Sequence, residues 1–263
     1  MEYVLVTGGY GGMGKAVVKQ LREAGYGVFA LDKTVEDAQE NLFPIQADVT
    51  DAESLQNAFG KVREKTDKLF AILHFSGIYV LDSLVEISEA GFRRAFEINV
   101  FGVANVNKIF LPLLSKGSKI LITTSELAPL APLPFTGLYA VTKSALDKYA
   151  YSLRMELQLL GISVSVLRPG AVDTGMLGVS TTALDKFCEK TELYGCNAKR
   201  FKTIVERVEA RKIPPKKIAK KSLKILQKKG GRYVYSINRN PLLLLLNVLP
   251  KRLQTWIIRQ ILK

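Results

Sequence analysis

Short apolar runs alternate with longer amphipathic runs along the first two-thirds of the chain. Six runs rich in Val, Ile, Leu and Phe predict buried strands: YVLVTG, GVFALD, FPIQAD, KLFAILHF, KILITTS and SVSVLRPG. Four stretches with apolar residues at helical spacing lie between them: GKAVVKQLREAG, DAESLQNAFGKVREK, GFRRAFEINVFGVANVNKIFLPLL and KSALDKYAYSLRMELQLLG. This alternation predicts an α/β fold in which a parallel sheet is covered by helices on both faces.

The last third of the chain adds one more strand and a helical excursion. The strand RYVYSI follows the helix KKIAKKSLKILQKK and brings the predicted sheet to about seven strands. Residues 175–211 fit no strand, and we expect them to form a helical lid over the crevice at the carboxyl ends of the strands. No repeat or linker divides the chain. We therefore predict a single domain over residues 1–237 and a tail over residues 238–263.

The tail, NPLLLLLNVLPKRLQTWIIRQILK, combines a leucine run with an amphipathic helix. Its apolar run between Pro241 and Pro250 is shorter than the about 20 residues that a spanning helix needs. Beyond Pro250 the apolar residues that share one helical face are Leu253, Trp256, Ile257 and Ile261, with basic residues elsewhere. This pattern is typical of a segment lying in a membrane interface. Alternatively, the leucines are buried against a second subunit, in the substrate crevice or by ordinary packing on the domain.

The charge distribution also favours an anionic surface. The net charge is +14, and 19 of the 38 basic residues but only Glu206 and Glu209 of the 24 acidic residues lie from Ala198 onward. A basic excess beside leucine runs favours a membrane surface over nucleic acid. The chain has one histidine and two cysteines, which predicts neither a metal site nor a disulfide framework. It opens directly on a strand, so we expect a cytoplasmic protein that associates with the inner face of the membrane.

A glycine-rich turn follows the first strand, in VLVTGGYGGMGKAVV. Backbone N–H groups at a helix start attract phosphate, and glycines at positions 8, 12 and 14 let a pyrophosphate approach. Asp32 ends the second strand, where a carboxylate accepts the ribose hydroxyls of NAD and repels a 2′-phosphate. NAD(H) is therefore favoured over NADP(H), although the neighbouring Lys33 offsets part of that repulsion.

The ordered motifs resemble those of the short-chain dehydrogenase/reductase family, with the hydroxysteroid and retinol dehydrogenases as the most similar subgroup. The nucleotide pattern T-G-x-x-x-G-x-G, the Y-x-x-x-K pair and the P-G-x-x-x-T motif all stand in order between Tyr3 and Ile237. The resemblance implies a Rossmann-like doubly wound fold. It also implies cofactor contacts from Thr7, Gly8, Tyr10, Gly12, Met13, Gly14, Asp32, Asp48, Val49, Gly77, Tyr139, Lys143, Pro169, Gly170, Val172 and Thr174.

The same resemblance implies catalytic roles for Asn99, Ser125, Tyr139 and Lys143, with Ser125 and Tyr139 contacting the substrate. One departure from the family pattern is His74–Phe75–Ser76–Gly77 in place of N-N-A-G. We expect this change to alter local packing rather than chemistry. His74 is accordingly predicted to be a strand-end residue and not a base or a metal ligand.

The spacing of Tyr139 and Lys143 has a physical reading of its own. Residues four apart lie on the same face of a helix. A tyrosine with a pKa of about 10 needs roughly 4 kcal/mol to reach about 7. A cation at about 4 Å supplies a similar amount at an effective dielectric of about 20. We therefore expect Lys143 to turn Tyr139 into an acid–base group for hydride transfer.

The substrate class and the assembly are less closely defined by the sequence. An apolar lid and tail predict a hydrophobic alcohol or carbonyl compound, such as a steroid, a retinoid or a lipid. A small polar or sugar substrate, or a non-catalytic NAD(H) sensor of the same fold, are the alternatives. The resemblance predicts a homodimer or homotetramer, in which Leu146, Tyr149 and Leu153 face either a partner or the sheet.

Overall fold

Seven parallel strands form one sheet in the part of the chain that the structure describes. The computed structural model describes the backbone of residues 1–209 and 211–263, and the side chains of these residues except 175–182 and 207–209. The strands are β1 (Tyr3–Thr7), β2 (Gly27–Asp32), β3 (Leu42–Gln46), β4 (Ala71–His74), β5 (Lys119–Thr123), β6 (Ser163–Pro169) and β7 (Val234–Ile237). Their order across the sheet is β3-β2-β1-β4-β5-β6-β7. The order reverses between β1 and β4, and ligands bind in the crevice that such a reversal opens.

Helices cover both faces of this sheet, as the alternating pattern predicts. They are α1 (Gly12–Glu23), α2 (Ala52–Arg63), α3 (Glu89–Phe96), α4 (Gly102–Phe110), α5 (Gly137–Leu157), α6 (Gly175–Lys190), α7 (Gly195–Glu209), α8 (Pro215–Gln227), α9 (Pro241–Val248) and α10 (Lys251–Leu262). Alternate residues of β1 point to opposite faces: Val4 and Val6 pack with α1 and α8, whereas Leu5 packs with α2 and α4. The predicted Rossmann-like, doubly wound α/β fold is confirmed.

One predicted helix contains an irregular turn. The apolar spacing over residues 91–114 predicts a helix, and α3, a π-helical turn over Glu97–Phe101 and α4 follow one another without a gap up to Phe110. The extra residue of a π turn disturbs the regular side-chain spacing and is frequent at functional sites. Here it carries Asn99, whose buried amide is hydrogen-bonded to another segment of the chain. Hydrophobic spacing alone does not report such a local insertion.

The predicted lid and tail are both helical. Residues 175–211 contain α6 and α7, with residue 210 outside the described residues. Helix α10 packs on α7, where Leu262 joins a cluster with Phe201 and the Leu262 carbonyl accepts a 2.6 Å hydrogen bond from Asn197. Helix α9 is held by Asn247, which accepts a 2.7 Å hydrogen bond from the Ala131 amide. None of the helices within residues 1–209 and 211–263 is both long and apolar enough to cross a bilayer.

Helix α5 is fixed against β6 by packing and by an ion pair. Leu146 is buried, and Tyr149 and Leu153 pack into the same cluster, so these three residues face the sheet. The guanidinium of Arg168 makes two hydrogen bonds to the carboxylate of Asp147, at 3.0 and 2.7 Å, with both side chains mostly buried. Such bidentate pairs also fix geometry. Because Leu146, Tyr149 and Leu153 face the sheet, they do not report on a partner subunit, and the homodimer or homotetramer stays a prediction.

His74 is the last residue of β4 and is completely enclosed. Its Nε2 lies 2.8 Å from Oδ1 of Asn107, and the Asn107 amide in turn donates to the Tyr149 hydroxyl at 3.2 Å. Burial lowers the pKa of His74 to about 4, although the hydrogen bond to Asn107 opposes that shift. The position agrees with the prediction of a strand-end residue.

This buried imidazole predicts part of the acid sensitivity of the fold. The unfolded chain takes up a proton at His74 near pH 6.5, whereas the folded chain does so only near pH 4. The unfolded state therefore gains protons first, and stability falls by about 2–3 kcal/mol as the pH drops through this window. We expect His74→Asn to lose less stability than the wild type between pH 6.5 and 4.5 in urea unfolding. An identical pH dependence in both proteins would contradict this assignment.

Candidate active site

The turn between β1 and α1 is built from glycines that leave no room for side chains. Gly8 has a φ of +66°, a conformation that favours glycine. A Cβ on Gly14 would lie 1.9 Å from the Gly8 carbonyl oxygen, and one on Gly12 would lie 2.5 Å from the Thr174 Cβ. The N-terminus of α1 opens directly behind this turn, where free backbone N–H groups and the helix dipole attract anions. The turn therefore fits a pyrophosphate.

A cavity of about 340 Å³ extends from this turn towards two carboxylates, Asp32 and Asp48. The Asp32 carboxylate accepts hydrogen bonds from the Tyr10 amide at 3.0 Å and from the Lys33 amide at 2.8 Å. The ammonium of Lys33 instead pairs with Asp48 at 2.6 Å. Burial alone would raise the pKa of Asp48, but the ammonium of Lys33 and hydrogen bonds from Thr50 lower it to about 2. Both carboxylates are held in place before any ligand arrives.

A second, largely apolar cavity of about 210 Å³ adjoins the first and shares lining residues with it, among them Gly77 and Thr174. Ser125, Tyr139 and Lys143 supply polar groups to its wall. The apolar lining includes Phe75, Ile78, Leu127, Leu133, Val172, Phe201, Ile204, Val205 and Leu243. The arrangement places a small set of polar groups at one end of a hydrophobic space, next to the glycine turn.

Tyr139 and Lys143 lie one turn apart on α5 and both reach the second cavity. The Lys143 ammonium is buried, donates a 3.2 Å hydrogen bond to the Thr123 carbonyl, and lies 5.7 Å from the centre of the Tyr139 ring. Tyr79 packs edge-on against Tyr139 with ring centres 4.6 Å apart. Burial lowers the pKa of Lys143 to about 8. The pair therefore sits in a poorly solvated environment that disfavours charge on either group.

In the chain without a cofactor, the pKa of Tyr139 is not lowered towards 7, contrary to what its spacing from Lys143 predicts. Burial raises the pKa of Tyr139 to about 12, against a hydrogen bond from Ser125, and the negative charge of Glu126 adds to the rise. The ammonium is directed to the Thr123 carbonyl rather than to the phenol oxygen. In the chain alone, desolvation outweighs the hydrogen bond from Ser125. Tyr139 is consequently a protonated acid at neutral pH, and Lys143 is largely charged.

Asn99 connects the π turn to the segment after β4. Its amide nitrogen donates to the Ile78 carbonyl at 3.0 Å and to the Thr142 hydroxyl at 3.1 Å, and its oxygen accepts from the Ile78 amide at 2.8 Å. A Cβ on Gly77 would lie 3.1 Å from this oxygen and 3.5 Å from the Lys143 nitrogen. Gly77 therefore marks the point where Asn99 and Lys143 converge.

The sequence matches the short chain dehydrogenase family over residues 2–185, which is more than half of the chain. The chain belongs to this family. Mouse estradiol 17-beta-dehydrogenase 2 is 36% identical over 187 residues, covering 66% of this chain and 49% of that protein. The chain thus spans about half the length of the first curated relatives it matches.

Two further comparisons cover a larger share of this chain. The 3-ketodihydrosphingosine reductase of Bacteroides thetaiotaomicron is 24% identical over 230 residues, covering 81% of this chain and 86% of that protein. A short chain dehydrogenase of Burkholderia cenocepacia, solved in complex with NADP, aligns over 100% of both chains with a TM-score of 0.75 and 20% identity. At this identity the structural likeness supports the fold alone.

Most of the predicted site residues of this short chain dehydrogenase line one of the two cavities. The first cavity includes Gly8, Gly12, Met13, Gly14, Asp32, Asp48, Val49, Gly77 and Thr174; the second includes Met13, Gly77, Ser125, Tyr139, Lys143, Pro169, Gly170, Val172 and Thr174. Thr7, Tyr10 and Asn99 line neither cavity. Thr7 is buried at the end of β1, and Tyr10 faces a separate groove and contributes its backbone amide to Asp32. Asn99 lies behind Gly77.

Sequence reasoning missed three side chains around Tyr139. Thr142 accepts from Asn99 and donates at 2.8 Å to the Tyr139 carbonyl. Tyr79 restrains the phenol ring, and Glu126 brings a buried carboxylate into the second cavity. Thr142 lies inside the Y-x-x-x-K motif and Glu126 directly follows Ser125, so adjacency to known motif residues was an available signal. Tyr79 carries no comparable signal, because its contact depends on the tertiary fold.

The buried ammonium predicts that removing Lys143 stabilises the protein. A pKa of about 8 in place of 10.5 corresponds to about 3 kcal/mol of destabilisation below pH 8. Above pH 8 the folded chain releases this proton first, so the penalty disappears as the pH approaches 10.5. We expect Lys143→Met to raise the free energy of unfolding at pH 7 by about 1–3 kcal/mol in urea titrations. This range allows for the loss of the hydrogen bond from Lys143 to the Thr123 carbonyl. Lys148→Met, on the exposed side of α5, is the matched control, and a destabilised Lys143→Met protein would refute the prediction.

Proposed function

We propose that this short chain dehydrogenase interconverts an alcohol and its carbonyl compound on a hydrophobic substrate, with a nicotinamide dinucleotide as hydride carrier. The observation that carries the proposal is the junction of the two cavities. Groups that fit a pyrophosphate and a ribose line the first, and Ser125, Tyr139 and Lys143 line the adjoining apolar space. A bound nicotinamide supplies or accepts the hydride, and the protein handles the proton.

In this proposal Tyr139 is the acid of the reduction direction. Its phenol is protonated at neutral pH, so it can donate a proton to the oxygen of a carbonyl as that oxygen becomes an alkoxide. Ser125 already hydrogen-bonds to the Tyr139 oxygen and would share the same substrate oxygen. The two hydroxyl groups define where the carbonyl oxygen lies in the apolar cavity.

Lys143 and Asn99 support that proton transfer. The ammonium of Lys143 favours a tyrosinate after Tyr139 has given up its proton, because an opposite charge nearby stabilises the anion. The amide of Asn99 holds the Ile78 backbone and thereby Gly77, next to the Lys143 nitrogen. As the family resemblance implies, this segment would order a water that restores the proton.

A hydrophobic substrate suits the lining of the second cavity. Phe201, Ile204 and Val205 from α7 and Leu243 from α9 close it with apolar side chains. Two relatives, estradiol 17-beta-dehydrogenase 2 and 3-ketodihydrosphingosine reductase, are named after lipid-like molecules. A sugar would leave its hydroxyl groups unpaired against these residues. A non-catalytic sensor would not need Ser125, Tyr139 and Lys143 together.

Replacing Tyr139 tests the proposed role directly. We expect Tyr139→Phe to lower kcat by about 10³-fold or more, because the proton donor is lost while the ring packing is kept. Binding of NADH, followed by fluorescence titration, should stay within about threefold of the wild type. Residual activity near the wild-type level, measured as NADH oxidation with apolar ketones, would exclude Tyr139 as the acid.

We also propose that the cofactor is NAD(H) rather than NADP(H). The Asp32 carboxylate is fixed by two backbone amides at the end of β2, where it would repel a 2′-phosphate. Lys33, the nearest cation in the sequence, pairs with Asp48 and is thereby drawn away from that position. The arrangement leaves the negative charge of Asp32 as the dominant feature of the ribose site.

Two variants test this preference. The wild type should use NADH at least about tenfold better than NADPH in kcat/KM, and Asp32→Ala should reduce that ratio by about tenfold or more. Lys33→Met is the control. We expect its kcat/KM with NADPH to stay within about threefold of the wild type, because the Lys33 ammonium pairs with Asp48. A wild-type preference for NADPH would overturn the assignment.

Finally, we propose that α9 and α10 contact an anionic membrane surface. Leu242, Leu245, Val248 and Trp256 are each more than half exposed. The basic residues Lys251, Arg252 and Arg259 of α10, and Lys263 directly after it, are also exposed. Apolar side chains beside a basic helix suit a lipid interface with acidic headgroups. Leu243 of the same α9 lines the substrate cavity, which would give a hydrophobic substrate a short path from the bilayer.

Vesicle flotation tests the membrane proposal. The full chain should float with vesicles containing phosphatidylglycerol and less with pure phosphatidylcholine, because both apolar and charge contacts contribute. The double variant Leu245→Glu/Trp256→Glu should stay in the soluble fraction. Leu159→Glu changes a leucine after α5 that is even more exposed than Leu245, and this variant should float like the wild type. Flotation of the double variant, or none for the wild type, would disprove the contact.

A further inference from the structure

Glu126 places a carboxylate inside the apolar substrate cavity. The residue follows Ser125 in the turn after β5, is only 9% exposed, and lines the cavity together with Ser125 and Tyr139. Its Oε2 accepts a 2.6 Å hydrogen bond from the Asn240 amide at the start of α9. Its Oε1 lies against Gly170, where a Cβ would come within 2.9 Å. Gly170 lines the same cavity, so this oxygen is at the cavity wall.

The charge of Glu126 is only partly balanced by the protein. Among the described residues, no ion pair reaches this carboxylate and no hydrogen bond reaches Oε1; the exposed Arg239 compensates part of its charge at longer range. Burial raises the pKa of Glu126, against the Asn240 hydrogen bond and Arg239. A buried carboxylate in an apolar space needs either a proton or a cationic partner.

The position of the carboxylate defines where a partner would lie. Ser125 and Tyr139 fix the substrate oxygen in the proposed function, and Glu126 is the next residue after Ser125 on the same turn. The negative charge of Glu126 contributes to the raised pKa of Tyr139, and both side chains line the same cavity. A substrate group bound by Glu126 would therefore sit close to the reacting carbon, whereas the remainder of the cavity accommodates apolar chain.

We propose that Glu126 is a substrate-binding residue that selects an ammonium group next to the reacting carbonyl, so that the substrate class is a hydrophobic amino ketone or the corresponding amino alcohol. This inference rests on the proposed function. A carboxylate accepts hydrogen bonds but donates none, and its charge-assisted bond to an ammonium is stronger than one to a neutral hydroxyl. An ammonium would also offset the negative charge that raises the pKa of Tyr139.

The first experiment compares three ketones with the same medium-length alkyl chain, one unsubstituted, one with an α-hydroxyl and one with an α-ammonium group. The full chain should reduce the amino ketone at least about tenfold better in kcat/KM than either of the others. Glu126→Gln keeps the shape and an oxygen for the Asn240 amide. The kcat/KM of this variant for the amino ketone should be about tenfold or more below that of the wild type, mainly through a higher KM. Its kcat/KM for the unsubstituted ketone should stay within about threefold of the wild type.

Three results would overturn the inference. These are equal use of the three ketones by the wild type, a preference for the hydroxy ketone, and an equal loss on all three in Glu126→Gln, which would mean a structural role. Glu89→Gln, an exposed carboxylate on α3 paired with Arg93, is the control and should leave all three activities unchanged.

A binding experiment separates this inference from the proposed function. Octylamine and octanol are titrated calorimetrically into the wild type and Glu126→Gln, with no turnover required. The wild type should bind the amine at least about tenfold more tightly than the alcohol, and the variant should lose that difference. If no ketone is reduced but the amine selectivity depends on Glu126, the proposed reaction fails and the binding role stands. Equal binding of amine and alcohol by the wild type would refute the binding role.

Discussion

The burial of one ammonium, that of Lys143, is the constraint on which the site depends. A lysine in the interior disfavours its own charge, so its surroundings have to supply compensating dipoles without supplying a neutralising carboxylate. The Thr123 carbonyl at the end of β5 does this, and the absent side chain at Gly77 leaves room for the nitrogen. The same burial keeps the Tyr139 proton in place. Both groups therefore carry their protons at neutral pH, the phenol as a neutral acid and the amine largely as an ammonium.

The elements around this pair meet because of the sheet topology. The strand order reverses between β1 and β4, and the segments that follow β1, β4 and β5 all border the resulting crevice. The glycine turn after β1 leaves room that fits a pyrophosphate, the segment after β4 is held by Asn99, and the turn after β5 carries Ser125. Helix α5, pinned to β6 by Arg168 and Asp147, presents Tyr139 to the same space. One crevice therefore joins a nucleotide site to an apolar cavity.

Much of this architecture was predictable from the chain, because apolar periodicity and glycine position report on burial and backbone geometry. All seven strands and the helix carrying Tyr139 and Lys143 follow from these patterns. The π turn at Asn99 did not, because its shift of side-chain spacing is confined to one turn and short-range apolar spacing does not distinguish it from an α-helix. The pKa of Tyr139 was also misjudged. Its value depends on desolvation and on where the Lys143 nitrogen points, and neither is encoded in the spacing of two residues.

The most direct test of this account is an NMR titration of the full chain without cofactor, with tyrosine labelled at Cζ and the Tyr139 signal assigned from Tyr139→Phe. The account predicts that Tyr139 stays protonated well above pH 10, with a pKa near 12. A companion titration of the labelled Lys143 side chain should give a value near 8. A Tyr139 pKa close to 7 in the cofactor-free protein would contradict the claim that burial, rather than the neighbouring ammonium, controls the proton of the phenol.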